Sequence, residues 1–465
     1  MRLRRILAAG SLSAIVLATV AWTHQSAAGP VGDGKADDTA ALQALVDSGR
    51  GSILLKKGTY RITRPLVVDL DKVGHTAITG DGTARIVMAG PGPAIRFVGT
   101  HKGTAAPNSV KANVWDRQRM PSVSGIEIIG ANPEADGIEA SGTFMLTLHR
   151  VAIRECRHGV HLVKRNRNII ISDCHIYSNR GIGVFYDDVN LHQSNITGSH
   201  ISYCDGGGVV CRGGEVRNVH ITGCDIEANM KAGGPPTANV FIDCTGGSTA
   251  EVAITGCTIQ HSNVPGGANV RVHGAGTGIR KGTTANWGHI TIGNNVFSDV
   301  AINVDLKDCR GVTITGNTFW MAYQHNLKVA NCEQLAMAAN AFERNPAYDY
   351  GTSKTTVNAI LFENCRDCTL SSLHVHGVHT APAAVTLDRC SRINLTGCTI
   401  LDCDGIGLLM NEPRNFRVSD CLIRHDGDEK KPGTSIRVVG GSGNFFADNS
   451  FGNGVEIPKE SGTVR

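Results

Sequence analysis

Residues 310–332, RGVTITGNTFWMAYQHNLKVANC, set out a plan that recurs on both sides of them. The hexad ITGNTF (314–319) has apolar residues at its first and last positions and a small or stackable residue at its fourth. ITGCTI (254–259), LTGCTI (395–400) and VSDCLI (418–423) follow the same plan. The fourth position falls on Cys174, Ser199, Cys224, Cys257, Asn295, Asn317, Asn340, Leu373, Cys398, Cys421 and Asn449, a base period of 22 to 25 residues stretched by insertions. A fixed period with turn-like breaks is the mark of a solenoid.

The second half of the unit repeats too. Short alternating stretches such as NLKV (326–329), AVTL (384–387) and NVDL (303–306) follow a turn. Cys309, Cys332, Cys365 and Cys390 each stand five residues before the next hexad. Strands of three to five residues, β-branched and separated by Gly, Asn and Asp, suit period-two coils far better than helices. Coils stacked through parallel main-chain hydrogen bonds lie roughly 4.8 Å apart, so about a dozen make a rod on the order of 60 Å long. The pattern predicts an all-β chain wound as a single-stranded right-handed parallel β-helix.

The first 28 residues stand apart from that rod. Arg2, Arg4 and Arg5 precede the apolar run from Ile6 to Trp22, and Ser26, Ala27 and Ala28 supply small residues where a signal peptidase cuts. This reads as a secretory signal peptide over 1–28, leaving 29–465 as one β-helix domain, secreted, periplasmic or at the cell surface. An uncleaved anchor is the competing reading, weakened by Gly10, Ser11 and Ser13 within the run. No later run is long and apolar enough to span a bilayer, so stable membrane insertion after cleavage is not expected.

Composition restrains function. Gly is 56 of 465 residues, aromatics 5% and charged residues 18%, which describes a turn-rich folded chain. The formal net charge of +4 is too small and scattered to point to nucleic acid, and it would not repel an acidic polymer. Fifteen cysteines in an exported protein suggest disulfides. Most of these, however, occupy matching places in successive coils, where a small apolar side chain stacks inside the solenoid. Cys365 and Cys368 have redox-motif spacing, but position 365 belongs to the ladder.

The stretch from residue 29 to 62 is expected to cap the rod and form its first strands. Asp37 to Thr39 provide N-cap chemistry, Leu42, Leu45 and Val46 share a helical face, and Gly49 stops the helix. Such a helix would cover the open end of the first coils. The segment GDGKADDTAALQALVDSGRGSILLKKGTYRI (32–62) resembles the N-terminal signature of the pectate lyase superfamily of right-handed β-helix proteins, the group with rhamnogalacturonase-like and epimerase-like domains. The resemblance implies a fold and a polysaccharide substrate class more than one reaction, since such proteins include lyases, hydrolases, epimerases and phage tailspikes. Its residues build the cap, so none carries over as a catalytic residue. The polygalacturonase pattern is missing: Asp187-Asp188 has no Asn-Thr-Asp before it and no Gly-His-Gly after it, and Ile279, Arg280 and Lys281 echo only its last element. The Asp-Pro-His signature of alginate epimerases is also absent.

Coil register supplies a site without a motif. Aligning NVFID (239–243), NVRVH (269–273), NVDLK (303–307) and NLKVA (326–330) puts Phe241, Arg271, Asp305 and Lys328 in one outward column. Asp243, His273 and Lys307 fall in the next, preceded by Asp187 and Arg212. Insertions at 228–238 and 261–268 precede this strand, and those at 244–252 and 274–288 follow it, as walls of a groove would. A lyase or epimerase acting on a uronate must neutralise the carboxylate, for which Arg271 or a bound calcium would serve, and must supply a base, for which His273 or Lys307 is suited. The cofactor is otherwise unknown from the sequence, with calcium as the candidate. A glycoside hydrolase needs paired carboxylates, and Asp243 with Asp305 is the pair on offer. The remaining catalytic candidates thus number five, with Phe241, Lys328, Arg212 and Asp187 as substrate contacts. The rivals are a non-catalytic glycan-binding or cell-surface rod, and plain solvated charges pairing across coils. His374, His376 and His379 have chelating spacing without an evident fourth ligand. The aperiodic segment 101–120, with Trp115, either leans over the groove or is a surface loop.

Overall fold

The structure, a computed structural model, describes residues 29–344, 353–426 and 433–465; the signal-peptide reading of 1–28 lies outside them. The chain winds as a single-stranded parallel β-helix whose coils each lay down three strands. The first face runs from Leu66–Asp69 through Ala238–Asp243, Ala268–His273 and Val300–Lys307 to Val455–Glu456. The second includes Glu215–Thr222, Ser248–Thr255, Gly288–Gly293 and Arg310–Thr315. The third includes Asp225–Glu227, Thr258–Gln260, Val296–Phe297 and Thr318–Phe319. The hexads thus straddle the turn between second and third faces.

Strand alternation sends one set of side chains into the lumen and the other outward. Val240, Ile242, Val270, Val272, Val304 and Leu306 belong to the continuous lumenal core. At the turns the core is polar but satisfied. Asn295 Nδ2 donates to Asn317 Oδ1 at 3.0 Å and Asn317 Nδ2 to Asn340 Oδ1 at 2.9 Å. A second ladder passes from Asn239 to Asn269, Asn303 and Asn326 at 2.7 to 2.8 Å. Within each ladder one amide donates to the next, and the last of the first ladder, Asn340, donates to Ile314 O at 2.9 Å and Ala338 O at 3.2 Å, so these buried amides are hydrogen-bonded. Phe297, Phe319 and Phe342 stack at 4.9 and 4.6 Å in the same manner.

The fifteen cysteines are buried and unpaired, so the reading of them as stacking residues describes the structure and disulfides do not. Cys309 N donates to Cys332 Sγ at 3.3 Å and Cys365 N to Cys390 Sγ at 3.4 Å, where an asparagine would otherwise stand. Cys365 and Cys368 are both sealed in the core, with thiols pushed upward, which is the opposite of an activated redox pair.

The N-terminal helix Thr39–Asp47 packs over the strand Leu66–Asp69, with Leu42 and Val46 buried. The Asp38 carboxylate does not cap it; it accepts instead from Val31 N at 2.6 Å and Gly32 N at 3.1 Å. Gln43 closes the strand edge: its Nε2 donates to Val67 O and its Oε1 accepts from Val67 N, both at 2.9 Å. A side-chain amide so replaces the main-chain amide of a coil that is not there.

Candidate functional site

The first face carries the charged columns expected from the register. Main-chain pairing sets Phe241 beside Arg271, Arg271 beside Asp305 and Asp305 beside Lys328. It also sets Asp187 beside Arg212, Arg212 beside Asp243, Asp243 beside His273 and His273 beside Lys307. Both columns point away from the lumen, but their surroundings differ.

The column of Phe241 and Arg271 is roofed. Phe241 joins Phe185, Val210, Ala238, Ala268 and Ile302 in a second apolar cluster outside the coil wall. Arg271 is only 6% exposed. Its Nε donates to Asp305 at 2.9 Å, one terminal nitrogen to Thr237 O at 3.2 Å and the other to Gly266 O at 2.7 Å. The insertions 228–238 and 261–268 therefore lie down on this column and do not stand as walls beside it. Each nitrogen of the guanidinium expected to neutralise a substrate carboxylate thus already has an acceptor within the protein. Asp305, one of the carboxylates of the hydrolase pair Asp243 and Asp305, is tied to the same guanidinium.

The next column stays reachable. Arg212 and Lys307 are exposed, and Asp187, Asp243 and His273 are half-buried. On its far side the insertion 274–288 folds into a hairpin, Ala275–Thr277 against Thr284–Asn286, held to the preceding coil by Thr277 N on Gly247 O at 2.8 Å. Trp287 at its base receives the Arg217 guanidinium at 4.5 Å. Asp243 Oδ1 accepts from Thr245 N at 3.0 Å, and the His273 ring meets Phe241 edge-on at 5.3 Å. Burial, aided by the Arg271 charge, holds His273 below its ordinary value of 6.5, so the imidazole is neutral and basic near pH 7.

At the N-terminal end of the column lies a group that sequence reasoning missed. His161 Nε2 meets Asp187 Oδ2 at 2.9 Å, and His161 Nδ1 stands 3.8 Å from Asp136, whose side chain is 1% exposed. Arg157 closes on the same Asp136 at 2.6 Å. The His161 ring stacks on Phe185 at 5.3 Å with 4° between planes, and the Arg212 guanidinium sits 5.9 Å from that Phe185 ring. Burial opposes charge on His161, but Asp136 and Asp187 outweigh it and raise its pKa. The signal was present: carrying the alignment back one coil pairs His161 with Phe185 and Val163 with Asp187.

Other candidates fall elsewhere. Segment 101–120 packs on Phe144, with the Trp115 ring 5.6 Å from it, and Arg165 binds Gly103 O at 2.8 Å, so it lines an earlier corner of the coil. His376 and His379 face Asp402 at 3.6 Å and Asp404 at 2.8 Å. Among the described residues, no three His, Cys, Asp or Glu side chains converge to hold a metal.

Residues 121–259 match the family described as right-handed beta helix region. With the winding described above, the chain has the right-handed parallel β-helix fold. Over 245–463 the β-helix also matches the family described as periplasmic copper-binding protein (NosD). Among the described residues the donors there do not fit a copper centre, since the thiols are sealed in the lumen and spent on main-chain carbonyls, as with Cys309 on Lys307 O and Cys332 on Ala330 O, both at 3.2 Å. No curated protein matches the sequence. Among solved structures, the β-helix is similar to the Azotobacter vinelandii mannuronan C-5 epimerase AlgE4 A-module, with 13% identity over 94% of this chain and 98% of that one and a TM-score of 0.36. It is also similar to the Streptococcus pneumoniae surface adhesin PfbA (14%, 91% and 90%, 0.41). The catalytic unit of a GH87 α-1,3-glucanase from Streptomyces thermodiastaticus is a third (13%, 90% and 67%, 0.40). At these identities the likeness concerns the fold.

Proposed function

We propose that the protein acts on an acidic polysaccharide, abstracting the proton beside a uronate carboxylate with His273. The observation that carries this reading is the unbroken register of Arg212, Asp243, His273 and Lys307 on four adjacent coils, spanning roughly 14 Å at 4.8 Å per coil. Exposed cations bracket a neutral imidazole. Arg212 and Lys307 bind and neutralise carboxylates, which acidifies the adjacent C–H, and His273 takes the proton. In β-elimination the C5–H electron pair forms the C4=C5 bond, O4 leaves, and Lys307 or water protonates it. In epimerisation the proton returns on the opposite face. Asp243 stands beside His273 in the register and its charge favours the imidazolium that forms, while Asp136 and His161 fix Asp187 at the end of the column. No resident metal is needed for this assignment; a calcium carried in by the substrate would add to the neutralising charge.

The basic start and apolar run of residues 2–22, together with a family model described as periplasmic, support export to the periplasm, cell surface or medium. The test is incubation with uronate and neutral polysaccharides, following unsaturated product by ultraviolet absorbance, C5 configuration by NMR and new reducing ends. Unsaturated product or epimerised uronate, lost in His273→Ala, supports the reading. New ends without unsaturation identify a hydrolase, and binding without chemical change identifies a glycan-binding rod; either overturns it.

A further inference from the structure

A different wall of the coil holds a cleft of about 620 Å³. It lies on the second face, where successive strands place Thr147, Ile170, Asn195 and His220 in one outward column. Beside that column every coil carries a bulge residue with left-handed backbone, here Met120, Met145, Asn168, Gln193 and Asn218, with φ between 56° and 66°. Such a conformation is costly for methionine, on the order of 1 kcal/mol, and it turns each side chain out of the sheet as a ridge above the floor.

The chemistry of the lining is consistent. It contains no Asp, Glu, Lys or Arg, though the Glu251 carboxylate at its edge accepts from Asn218 Nδ2 at 2.5 Å. Among the described residues, no hydrogen bond engages the side chains of Gln193, Asn195 or His220, and the buried Asn168 Oδ1 has no partner. Ile170 is 40% exposed and Met120 63%. Unpaired amides beside exposed apolar surface have both halves of a match to a pyranose ring: amides for hydroxyls, methyl and thioether groups for the C–H face. Polar groups recur at the coil spacing of ~4.8 Å, close to the rise of one sugar in an extended chain.

We infer that this cleft is a binding site for an uncharged oligosaccharide segment, separate from the charged column on the first face. With neither a carboxylate pair nor a basic residue besides His220, it binds without cleaving. The assignment does not rest on the activity proposed above, and an inert first face would leave it standing.

The test is calorimetric titration of the full chain with cellohexaose, laminarihexaose and mannohexaose, and with a hexagalacturonate. At least one neutral hexasaccharide is expected to bind. The double substitution Gln193→Ala and Asn195→Ala should weaken it about tenfold or more, equivalent to roughly 1.4 kcal/mol, while His273→Ala leaves it unchanged. Both cleft residues are exposed, so the double variant should keep the parental circular dichroism. Failure of all three neutral sugars to bind, binding that survives the double substitution, or equal binding of hexagalacturonate lost with the same substitution would each overturn the inference.

Discussion

The rings of His158 and His161 lie 5.2 Å apart, yet their surroundings drive them to opposite charge states. Burial dominates at His158 and lowers its pKa to about 4, whereas Asp136 and Asp187 hold His161 above 6.5. The unfolded chain therefore binds the His158 proton first, and stability falls as pH drops from 6.5 to about 4. His161 contributes stability that is fully present below pH 6.5 and is lost as pH rises through its folded value. Imidazole NMR titration should show the two in that order. His158→Phe should flatten the pH dependence of the melting temperature between 6.5 and 4; an unchanged slope would contradict the assignment.

His273 should govern activity. Its lowered pKa keeps the base form present below pH 6.5, so the acid limb of kcat/KM should lie below that value. Replacement by Ala should cost about 10²–10⁴ in kcat. Arg212→Ala, which removes an exposed cation that both binds and neutralises the carboxylate, should raise KM and lower kcat.

Arg271 is predicted to be structural. Arg271→Met strands Asp305 and releases the carbonyls of Thr237 and Gly266, so it should destabilise by about 3 kcal/mol. Limited proteolysis should then cut first within 228–238 or 261–268. A variant of parental stability and protease resistance would show the roof to be held by other contacts.

Asn303 links Asn269 to Asn326 within the buried ladder. Asn303→Ala should cost about 2 kcal/mol by leaving a donor and an acceptor unsatisfied. Thr313→Ala, exposed on the second face, should stay within about 0.5 kcal/mol. Denaturant midpoints of the two variants make the comparison.

All fifteen thiols should resist a disulfide reagent in the native protein and react on unfolding. Burial raises Cys156 to about 12 and Cys403 to about 11, so these two are held as thiols as well as shielded. Rapid native reaction of several thiols would mean that the lumen opens.

Much of this was legible in the chain itself. Asn317, Cys398 and their counterparts recur because a stacked lumen accepts only residues that match the coil above, and that requirement leaves a written period. From it the pairing of Phe241 with Arg271 and of Asp243 with His273 could be read before any coordinates. His161 was missed because two long strands, Val160–Ser172 and Ile182–Thr197, each run on through a turn and serve two faces, so no break in the sequence marks where the first face ends.

The sequence alone determined the winding, the register and which side chains leave the lumen, because each depends on contacts repeated between neighbouring coils. Only the tertiary structure decided which outward residues meet solvent. Insertions obey no period, and the path of 228–238 and 261–268 buried Arg271 and Phe241 while leaving Arg212 and Lys307 exposed. The second-face cleft has the same origin, since a backbone bulge repeated in every coil becomes a ligand-sized hollow only where unpaired amides and apolar side chains happen to stack beside it.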